Sequence, residues 1–309
     1  MNLQQLEYII AVDIYRNFGK ASQACYVTQP TLSMMIQKLE EELEITIFNR
    51  NKQHVAPTEA GKEIIEKAKS VLKEASLLKE IADSFKGELK GELKIGIIPT
   101  VAPYLLPLFL KKFLVKHSKV KVRISEYTTE PLIEKLEKNI LDVGILASPL
   151  NHSSLVERPL YKEELVVFAS DKEKVLNKKY VLQEDIDLNH LWLLEEGHCL
   201  RSQIINLCEL RKKELAPNLF EYSAGSIDSL IKMVEQSEGI TILPELAVHY
   251  MSDQQKNHIR HFKAPVPVRE ICLVTHKNFV RISVLESLKT EILEQVKDFI
   301  SRSKKQQVL

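Results

Sequence analysis

The sequence predicts an α/β protein in which a helical N-terminal segment precedes a domain of alternating strands and helices. Three patterns support this prediction. Short helices joined by tight turns fill the first sixty residues, a long helix with regularly spaced apolar residues follows, and short apolar strands alternate with helices from Leu93 onward. Alternation of this kind is typical of a mostly parallel sheet covered by helices. At 309 residues the chain has room for two or three domains.

Composition and charge place few limits on function. The net charge of +1 argues neither for nor against a polyanionic partner. The N-terminal residues lack the basic and apolar regions of a signal peptide, and no apolar run approaches the roughly 18 residues of a membrane span. Four cysteines without an export signal predict reduced thiols, and Cys25 and Cys272 are predicted to be packing residues. We therefore expect a cytoplasmic protein with no membrane partner, which argues against an exported binding protein on a similar scaffold.

The first sixty residues contain two short helices joined by a tight turn. A short helix is predicted for Lys20–Cys25, and Val27–Pro30 forms the turn. Pro30 at the first helical position and Thr28 as a cap start the second helix. Short helix, tight turn and second helix together predict a helix-turn-helix. The alternative is a helical packing unit with no DNA-binding role.

Contacts to DNA bases are expected from the exposed N-terminal part of the second helix. Ile45–Phe48 and His54–Val55 are predicted to form a small hairpin, or wing, with Arg50 and Lys52 at its tip. Residues 1–60 are slightly acidic overall, so phosphate contacts must come from a few local cations, hydroxyls and helix N-termini. The candidate DNA-binding residues are Gln29, Pro30, Thr31, Ser33, Met34, Lys38 and Arg50.

A long helix is predicted from Thr58 to about Phe85. Its apolar residues recur at alternating steps of four and three, which is a heptad seam and favours pairing with a second helix. The alternative is a long amphipathic helix that packs on its own chain. A segment with two glycines, Lys86–Gly91, follows and is predicted to be a hinge. The seam residues are Ile64, Ala68, Val71, Ala75, Leu78, Ala82 and Phe85.

The rest of the chain alternates between strands and helices. Thr100 and Thr129 come directly after the first two strands, where parallel sheets hold polar ligands; turn and capping roles are the alternative. The predicted strands are Leu93–Ile98, Val120–Tyr127, Val143–Leu146, Leu165–Ala169, Leu191–Leu194, Phe220–Ser223, Ile240–Leu243 and Ile271–Thr275. The predicted helices are Pro103–Lys116, Glu130–Asn139, the segment after Cys199, Ile227–Val234 and Ile282–Ile300.

Two cysteines nine positions apart, Cys199 and Cys208, lie in one helical segment. The thiolate is the reactive form of cysteine, and nearby positive charge increases its fraction. Gly197 breaks the preceding structure, while His198, Arg201 and a helix N-terminus would all supply positive charge to Cys199. Cys199 is therefore predicted to be a nucleophile, and an ordinary surface thiol is the alternative.

If one helix runs through both cysteines, they lie ~13.5 Å apart along its axis and on opposite sides. Cys208 shares the apolar face with Leu200 and Ile204, whereas Cys199 lies among polar side chains. A disulfide requires Cα atoms within about 7 Å, so these two cysteines cannot join unless the segment refolds. The pair is thus a candidate redox switch; the alternative for Cys208 is a small buried hydrophobic residue.

Several motifs recur in one family of regulators. They are Ala21 with Ala24, Thr28–Ser33, Ile36 with Leu39–Glu40, Phe48 with Arg50, Thr58–Gly61 and Gly239–Pro244. By these residues the whole chain resembles the LysR-type transcriptional regulators. The resemblance implies a bacterial cytoplasmic regulator of double-stranded DNA with a winged helix-turn-helix (1–58), a dimerising linker helix (59–86) and a hinge (87–92). It further implies an effector domain of two periplasmic-binding-protein-like, Rossmann-like subdomains (93–163 with 268–301, and 164–267 with the redox cysteines).

Two longer blocks, Ile95–Thr100 with Pro103–Pro107 and Glu196–Arg201 with Cys208, resemble the peroxide-sensing members of that family. This resemblance implies that Cys199 is the peroxidatic and Cys208 the resolving cysteine. It also implies that hydrogen peroxide is the signal, with no cofactor and no metal. The residues expected around the peroxide are Thr100, Thr129, His198, Arg201 and Arg269.

The resulting hypothesis is an activator of oxidative-stress genes switched by a reversible Cys199–Cys208 disulfide. Its expected partners are DNA, RNA polymerase, a second copy through the linker helix with assembly to a homotetramer, and glutaredoxin or thioredoxin as reductant. A LysR-type regulator that binds a small organic ligand in the inter-subdomain cleft is the alternative. A thiol peroxidase is the alternative of another class, but the helix-turn-helix and heptad seam have no use in such an enzyme, so we expect no enzymatic activity.

Overall fold

The computed structural model describes residues 1–49, 55–84, 90–208, 224–300 and 306–309. The chain divides into two compact units, Met1–Glu88 and Leu89–Leu309, each with its own hydrophobic core. The sequence predicts a hinge at 87–92, and residues 87–89 of that segment lie outside the described residues. Among the described residues, none of the helices has both the length and the hydrophobicity that crossing a membrane requires.

The N-terminal unit consists of four helices and a small antiparallel hairpin. In order, these are α1 Leu3–Tyr15, α2 Phe18–Ala24, α3 Gln29–Leu43, β1 Phe48–Asn49, β2 Ala56–Pro57 and α4 Glu59–Ser84. The helix-turn-helix predicted from the sequence is α2, the turn and α3. The predicted wing is the β1–β2 hairpin, paired Phe48 to Pro57, with both strands one to three residues later than expected.

Helix α3 forms where the turn chemistry predicts. The Thr28 side chain caps it by accepting a hydrogen bond from the Thr31 backbone, at 3.4 Å. Leu32, Ile36 and Leu39 lie one turn apart and are completely buried against the rest of the unit. The opposite face and the N-terminal turn are thereby directed to solvent.

Helix α2 begins earlier than predicted. The Asn17 side chain accepts a hydrogen bond from the Lys20 backbone at 2.9 Å, so the helix starts at Phe18 instead of Lys20. Ala21 is buried as expected, but Ala24 is exposed and Ser22 occupies the second buried position. The short helix therefore packs through Ala21 and Ser22.

The heptad seam of α4 divides into two parts. Ala68 is buried and Ile64 is partly buried against the core of the N-terminal unit, so the first part packs on its own chain. Further along, Val71 is 44% exposed and Leu78 is 69% exposed. The second part thus presents large apolar side chains that its own unit does not cover.

The C-terminal unit contains eight strands and seven helices among its described residues. They are β3 Gly91–Ile97, α5 Ala102–Lys116, β4 Val120–Glu126, α6 Thr129–Glu137, β5 Val143–Ser148, β6 Leu155–Ala169, α7 Cys199–Leu207, α8 Ile227–Gln236, β7 Ile240–Pro244, α9 Glu245–Val248, α10 Asp253–Lys256, β8 Ile259–His261, β9 Val266–His276, α11 Ile282–Val296 and β10 Gln306–Val308. Three short 3₁₀ turns, Lys174–Asn177, Gln183–Asp185 and Leu188–His190, lie between β6 and α7.

The sheet is mixed, so the prediction of a mostly parallel sheet is wrong. The strand order is β4-β3-β5-β9-β6-β7, with β8 beside β6 and β10 beside β9. Strand β3 is parallel to β4 and β5, and β10 is parallel to β9, but β9 pairs antiparallel with β5 and β6, and β6 pairs antiparallel with β7 and β8. Strand β6 is long enough to pair with β9 over its first part, Leu155–Glu164, and with β7 and β8 over the rest.

Two predicted strands have other outcomes. Leu191–Leu194 makes only isolated bridges, from Leu191 to Ile240 and from Leu194 to Ala224, and is not a regular strand. Phe220–Ser223 lies outside the described residues.

Helix α6 packs closely on the sheet because two strand residues have no side chain. A Cβ on Gly96 of β3 would lie 2.6 Å from the Leu141 side chain, and one on Gly144 of β5 would lie 2.8 Å from that of Leu136. A larger residue at either position would have to displace these leucine side chains.

Candidate functional site

Two threonines meet at one edge of the sheet, as the sequence predicts for strand ends. Strands β3 and β4 are adjacent and parallel, so their C-terminal ends lie side by side. Thr100 is buried in the turn after β3, and Thr129 is the first residue of α6, after β4. The Thr129 Oγ1 is buried and has no hydrogen-bond partner among the described residues, which argues against a capping role. Such an atom is available to a ligand.

The segment before Cys199 is fastened to this edge. The Thr129 backbone N–H donates a hydrogen bond to the Gly197 carbonyl, at 3.3 Å. Gly197 has a φ of +91°, a conformation that favours glycine. His198 follows as the N-cap of α7, and Cys199 is its first residue. The predicted nucleophile thus lies two residues from a direct contact with the threonine edge.

The two cysteines occupy opposite ends of α7, as the sequence predicts. Cys199 opens the helix and Cys208 caps its C-terminus, with the Cys208 N–H donating to the Ile204 carbonyl at 3.0 Å. At 1.5 Å per residue the separation along the axis is ~13.5 Å, too far for a disulfide. Both thiols are free. Burial raises the pKa of Cys208 to about 11, so this thiol is protonated at neutral pH.

His198 is buried, and this corrects the expectation that it supplies positive charge to Cys199. Its Nε2 lies 3.7 Å from a carboxylate oxygen of Glu195. Burial lowers the pKa of His198, and the Glu195 carboxylate only partly opposes that effect. His198 is therefore neutral at neutral pH and supplies no positive charge to Cys199. Arg201 and the N-terminus of α7 stay the predicted sources of positive charge near Cys199.

Arg201 has a structural contact that the sequence did not predict. Its Nη1 donates a hydrogen bond to the Leu194 carbonyl at 2.7 Å, and its backbone N–H donates to the His198 carbonyl at 3.0 Å. The side chain therefore ties the first turn of α7 to the segment before it. A contact between Arg201 and peroxide stays a prediction.

Arg269 lies against Thr100, although the two are far apart in the sequence. Its Nη1 donates to the Thr100 Oγ1 and its Nη2 to the Thr100 carbonyl, both at 3.0 Å. Its Nε donates to a carboxylate oxygen of Glu163 at 2.7 Å, and both side chains of this ion pair are 1% exposed. The sequence singled out Arg269 and Thr100 but missed Glu163. The available signal was an acidic pair, Glu163 with Glu164, directly before a continuous apolar strand.

Gln203 is a second buried polar residue near Cys199 that is absent from the predicted site residues. It lies one turn after Cys199 on α7 and is buried. Its Oε1 has no hydrogen-bond partner among the described residues. In the described part of the chain, no group of three or more histidine, cysteine or acidic side chains is placed to hold a metal ion.

The predicted DNA-binding residues of α3 lie at its solvent-facing N-terminal side. Ser33 is partly buried, and the Thr31 and Thr28 hydroxyls are 2.8 Å apart. Arg50 and the wing tip, with Lys52, lie outside the described residues. The exposed candidates are Gln29, Pro30, Thr31, Met34 and Lys38.

Comparison with known protein families gives two matches along the chain. Residues 3–62 match the bacterial regulatory helix-turn-helix protein, lysR family, and residues 86–297 match the LysR substrate binding domain. A hydrogen peroxide-inducible genes activator from Haemophilus influenzae is 32% identical over 302 residues, 97% of this chain and 99% of the relative.

Solved structures give the same result. A full-length OxyR mutant from Pseudomonas aeruginosa superposes with a TM-score of 0.72 at 31% identity, covering 95% of this chain and 98% of that one. An H2O2-bound OxyR mutant from Corynebacterium glutamicum superposes with a TM-score of 0.64 at 26% identity, covering 96% and 93%. The helix-turn-helix, the effector domain and the full-length relatives agree: this chain belongs to the LysR family of bacterial transcriptional regulators.

Proposed function

We propose that this LysR-family regulator senses hydrogen peroxide and controls oxidative-stress genes through a reversible Cys199–Cys208 disulfide. The observation that carries the proposal is the placement of the two thiols at opposite ends of α7, with the Cys199 end tied to Thr129. The names of the relatives, hydrogen peroxide-inducible genes activators, support the identity of the signal. An H2O2-bound structural neighbour supports it further.

The chemistry requires two steps. The Cys199 thiolate attacks one oxygen of hydrogen peroxide, the O–O bond breaks, and the leaving hydroxide takes up a proton to become water. Cys199 is then a sulfenic acid. The Cys208 sulfur attacks the Cys199 sulfur, loses its proton, and a second water leaves as the disulfide forms. A cellular dithiol, in glutaredoxin or thioredoxin, returns the two electrons and resets both thiols.

The groups at the strand edge would bind and orient the peroxide. The Thr100 Oγ1 accepts a hydrogen bond from Arg269, so its own hydroxyl hydrogen can be donated to a ligand. The unpartnered Thr129 Oγ1 can accept a hydrogen bond from a peroxide O–H. Neutral His198 can act as donor or acceptor, depending on its tautomer.

Disulfide formation compels a change of shape. The cysteines must approach to about 7 Å between Cα atoms, which an intact α7 prevents. Oxidation therefore unwinds α7, and the new shape biases how effector domains associate. That association would set the spacing of the helix-turn-helix pairs on DNA.

As a LysR-family protein with this helix-turn-helix, the chain binds DNA. We further propose that it forms homodimers through α4, which assemble into a homotetramer, and that it contacts RNA polymerase to activate transcription. In this proposal it works in the cytoplasm without a cofactor. Each oxidation event is a signal and not a catalytic turnover, so the protein is not an enzyme.

The test is a count of free thiols with disulfide mapping, before and after one equivalent of peroxide, on the full chain. A Cys199–Cys208 crosslink is expected, together with a changed DNA footprint that Cys199→Ser abolishes and Cys272→Ser leaves in place. A crosslink to Cys25 or Cys272, or a footprint response that survives Cys199→Ser, would contradict the thiol mechanism. Sustained peroxide consumption with a reductant, at enzyme-like rates without DNA, would favour a thiol peroxidase.

A further inference from the structure

We infer that Glu163 is a positioning residue for the reaction with peroxide: it holds the Arg269 guanidinium on Thr100. This inference rests on the proposed function, because it is that function which gives Thr100 and Arg269 a peroxide to bind. Glu163 itself touches neither Cys199 nor Thr100 in the described hydrogen bonds, so it acts through Arg269.

The sheet places the pair directly opposite each other. Glu163 of β6 and Arg269 of β9 are register partners in the antiparallel pairing of these strands. The 2.7 Å bond from Nε leaves both Nη groups facing the turn after β3, where each donates to Thr100. Since the guanidinium is planar and rigid, fixing its Nε edge on Glu163 fixes the direction of the other edge.

Glu163 is also the negative charge that makes a buried Arg269 tolerable. A guanidinium at 1% exposure needs a counter-charge, and the Thr100 hydroxyl and carbonyl are neutral. Burial raises the pKa of Glu163, and the adjacent guanidinium opposes that rise. Without the carboxylate, only the neutral oxygens of Thr100 would hold the guanidinium, and its orientation would no longer be fixed.

A second element fixes the carboxylate. Its other oxygen, Oε2, accepts a hydrogen bond from the Leu246 N–H in α9, at 3.4 Å. The other titratable groups that affect this pair are Glu245 of α9, Tyr161 of β6 and Tyr104 of α5. Burial raises the pKa of both tyrosines, so they stay neutral and Glu163 supplies the negative charge that binds Arg269 directly.

The consequence reaches Thr100. Both of its acceptor oxygens face the guanidinium, so its hydroxyl hydrogen must point elsewhere and can be donated at the strand edge. Loss of the Glu163 anchor would free that hydroxyl to rotate. Peroxide would then meet a disordered donor, while the Cys199 thiol itself would be little changed.

The experiment compares two reactions of Cys199 in the full-length reduced protein. Oxidation by peroxide needs the ordered Thr100 donor, whereas alkylation by iodoacetamide needs only the thiolate. Both rates are followed by mass spectrometry of the Cys199 peptide in wild type, Glu163→Gln and Arg269→Lys. The matched control is Glu291→Gln, which removes another buried carboxylate. Glu291 lies on α11, and its Oε2 is 3.7 Å from the Lys116 Nζ.

Glu163→Gln and Arg269→Lys are expected to slow peroxide oxidation about tenfold while alkylation changes by less than about twofold, since misplacement of a binding group affects only the step that uses it. The control should keep both wild-type rates.

A wild-type peroxide rate in Glu163→Gln, or an equal fall in both rates, would overturn the inference. If Glu163→Gln fails to fold, Glu163→Asp keeps the charge but shortens the reach, and an unchanged peroxide rate there would overturn it equally. A wild-type protein whose Cys199 reacts with peroxide no faster than free cysteine would instead remove the proposed function.

Discussion

Cys199 and Cys208 have different surroundings, and this difference predicts their order of reaction. Cys199 is the first residue of α7, whereas Cys208 is held protonated at neutral pH by burial that raises its pKa to about 11. A protonated thiol is a poor nucleophile toward peroxide. We therefore predict that Cys199 makes the first attack and that Cys208 reacts after unwinding of α7 exposes it.

Buried His198 predicts an acid-sensitive C-terminal unit. Burial lowers its pKa below the ordinary value of 6.5, so below that pH the unfolded chain binds a proton that the folded chain does not. The free energy of unfolding is then constant above pH 6.5 for this group and falls as the pH drops through and below it. Urea unfolding across this range should show a weaker pH dependence in His198→Gln than in wild type. Exposed His261→Gln is the control, and identical pH slopes for wild type and His198→Gln would contradict the prediction.

Residues of the site differ in how far the sequence could predict them. The placement of Cys199 and Cys208 at the two ends of α7 could be predicted, because their spacing on one helix is local. The neutrality of His198 was not, since it depends on burial by elements distant in the chain. Glu163 could not be predicted for the same reason: its partner, Arg269, is 106 residues away in the chain and lies on the neighbouring strand.

Among the elements, α7 is held in its reduced form partly by Arg201. Arg201→Ala removes the charged hydrogen bond to the Leu194 carbonyl, a loss of about 1.5 kcal/mol. In the proposed mechanism the unwound disulfide form does not use this bond, so its loss destabilises only the reduced form. The redox midpoint should therefore become more negative by about 30 mV. Equilibration of the full chain with glutathione buffers measures it.

The control for that measurement is Arg260→Ala. Arg260 also binds a backbone carbonyl, that of Leu176, but does not contact α7 in the described hydrogen bonds. Its removal should leave the midpoint at the wild-type value. An unshifted midpoint in Arg201→Ala would show that the Leu194 contact survives oxidation.

The recognition surface of α3 makes a separate prediction. Gln29→Ala removes an exposed amide at the N-terminus of the helix and should weaken binding to the footprinted DNA about tenfold, the cost of one base contact. Gln37→Ala is the matched control, because Gln37 lies two turns later and bonds Glu41 on the same helix. Fluorescence anisotropy at fixed salt gives both affinities, and equal values for the two variants would exclude Gln29 as a base contact.

Helices were easier to predict than strands for a physical reason. Caps and apolar periodicity are local, so α3, α4, α5 and α11 begin within one residue of the predicted positions. Strands β6 and β9 were predicted as short pieces because charged residues such as Arg158 and Glu163 interrupt their apolar pattern. Those charges are paired across the sheet, and pairing over such a distance leaves no local signal.

For the molecule as a whole, the uncovered part of α4 predicts association. Leu78→Asp places a carboxylate in the seam and should raise the dimer Kd by about tenfold or more, because the charge would be buried without a partner. Lys67→Asp, on an exposed position of the same helix, is the control and should leave the dimer intact. Sedimentation velocity of the reduced protein over a range of concentrations distinguishes the two. A Leu78→Asp protein as dimeric as wild type would assign the exposed seam another role.

The change from a helical N-terminal part to an α/β part could be predicted because periodicity changes along the chain, from a heptad repeat to strand alternation. The strand order of the large sheet could not. It depends on β9 inserting between β5 and β6, far from both in sequence. Only that insertion brings Arg269 to Thr100 and completes the strand edge.

The length of α7 also limits the peroxide concentration to which a sensor of the proposed kind can respond reversibly. In the proposed mechanism, a sulfenic acid on Cys199 has no thiol within reach while α7 is still helical. A second peroxide molecule could then convert it to a sulfinic acid, which thiol reductants do not restore. Unwinding therefore competes with overoxidation. At low peroxide the disulfide forms first and the signal is reversible, whereas a sufficiently strong burst would permanently silence a share of the molecules.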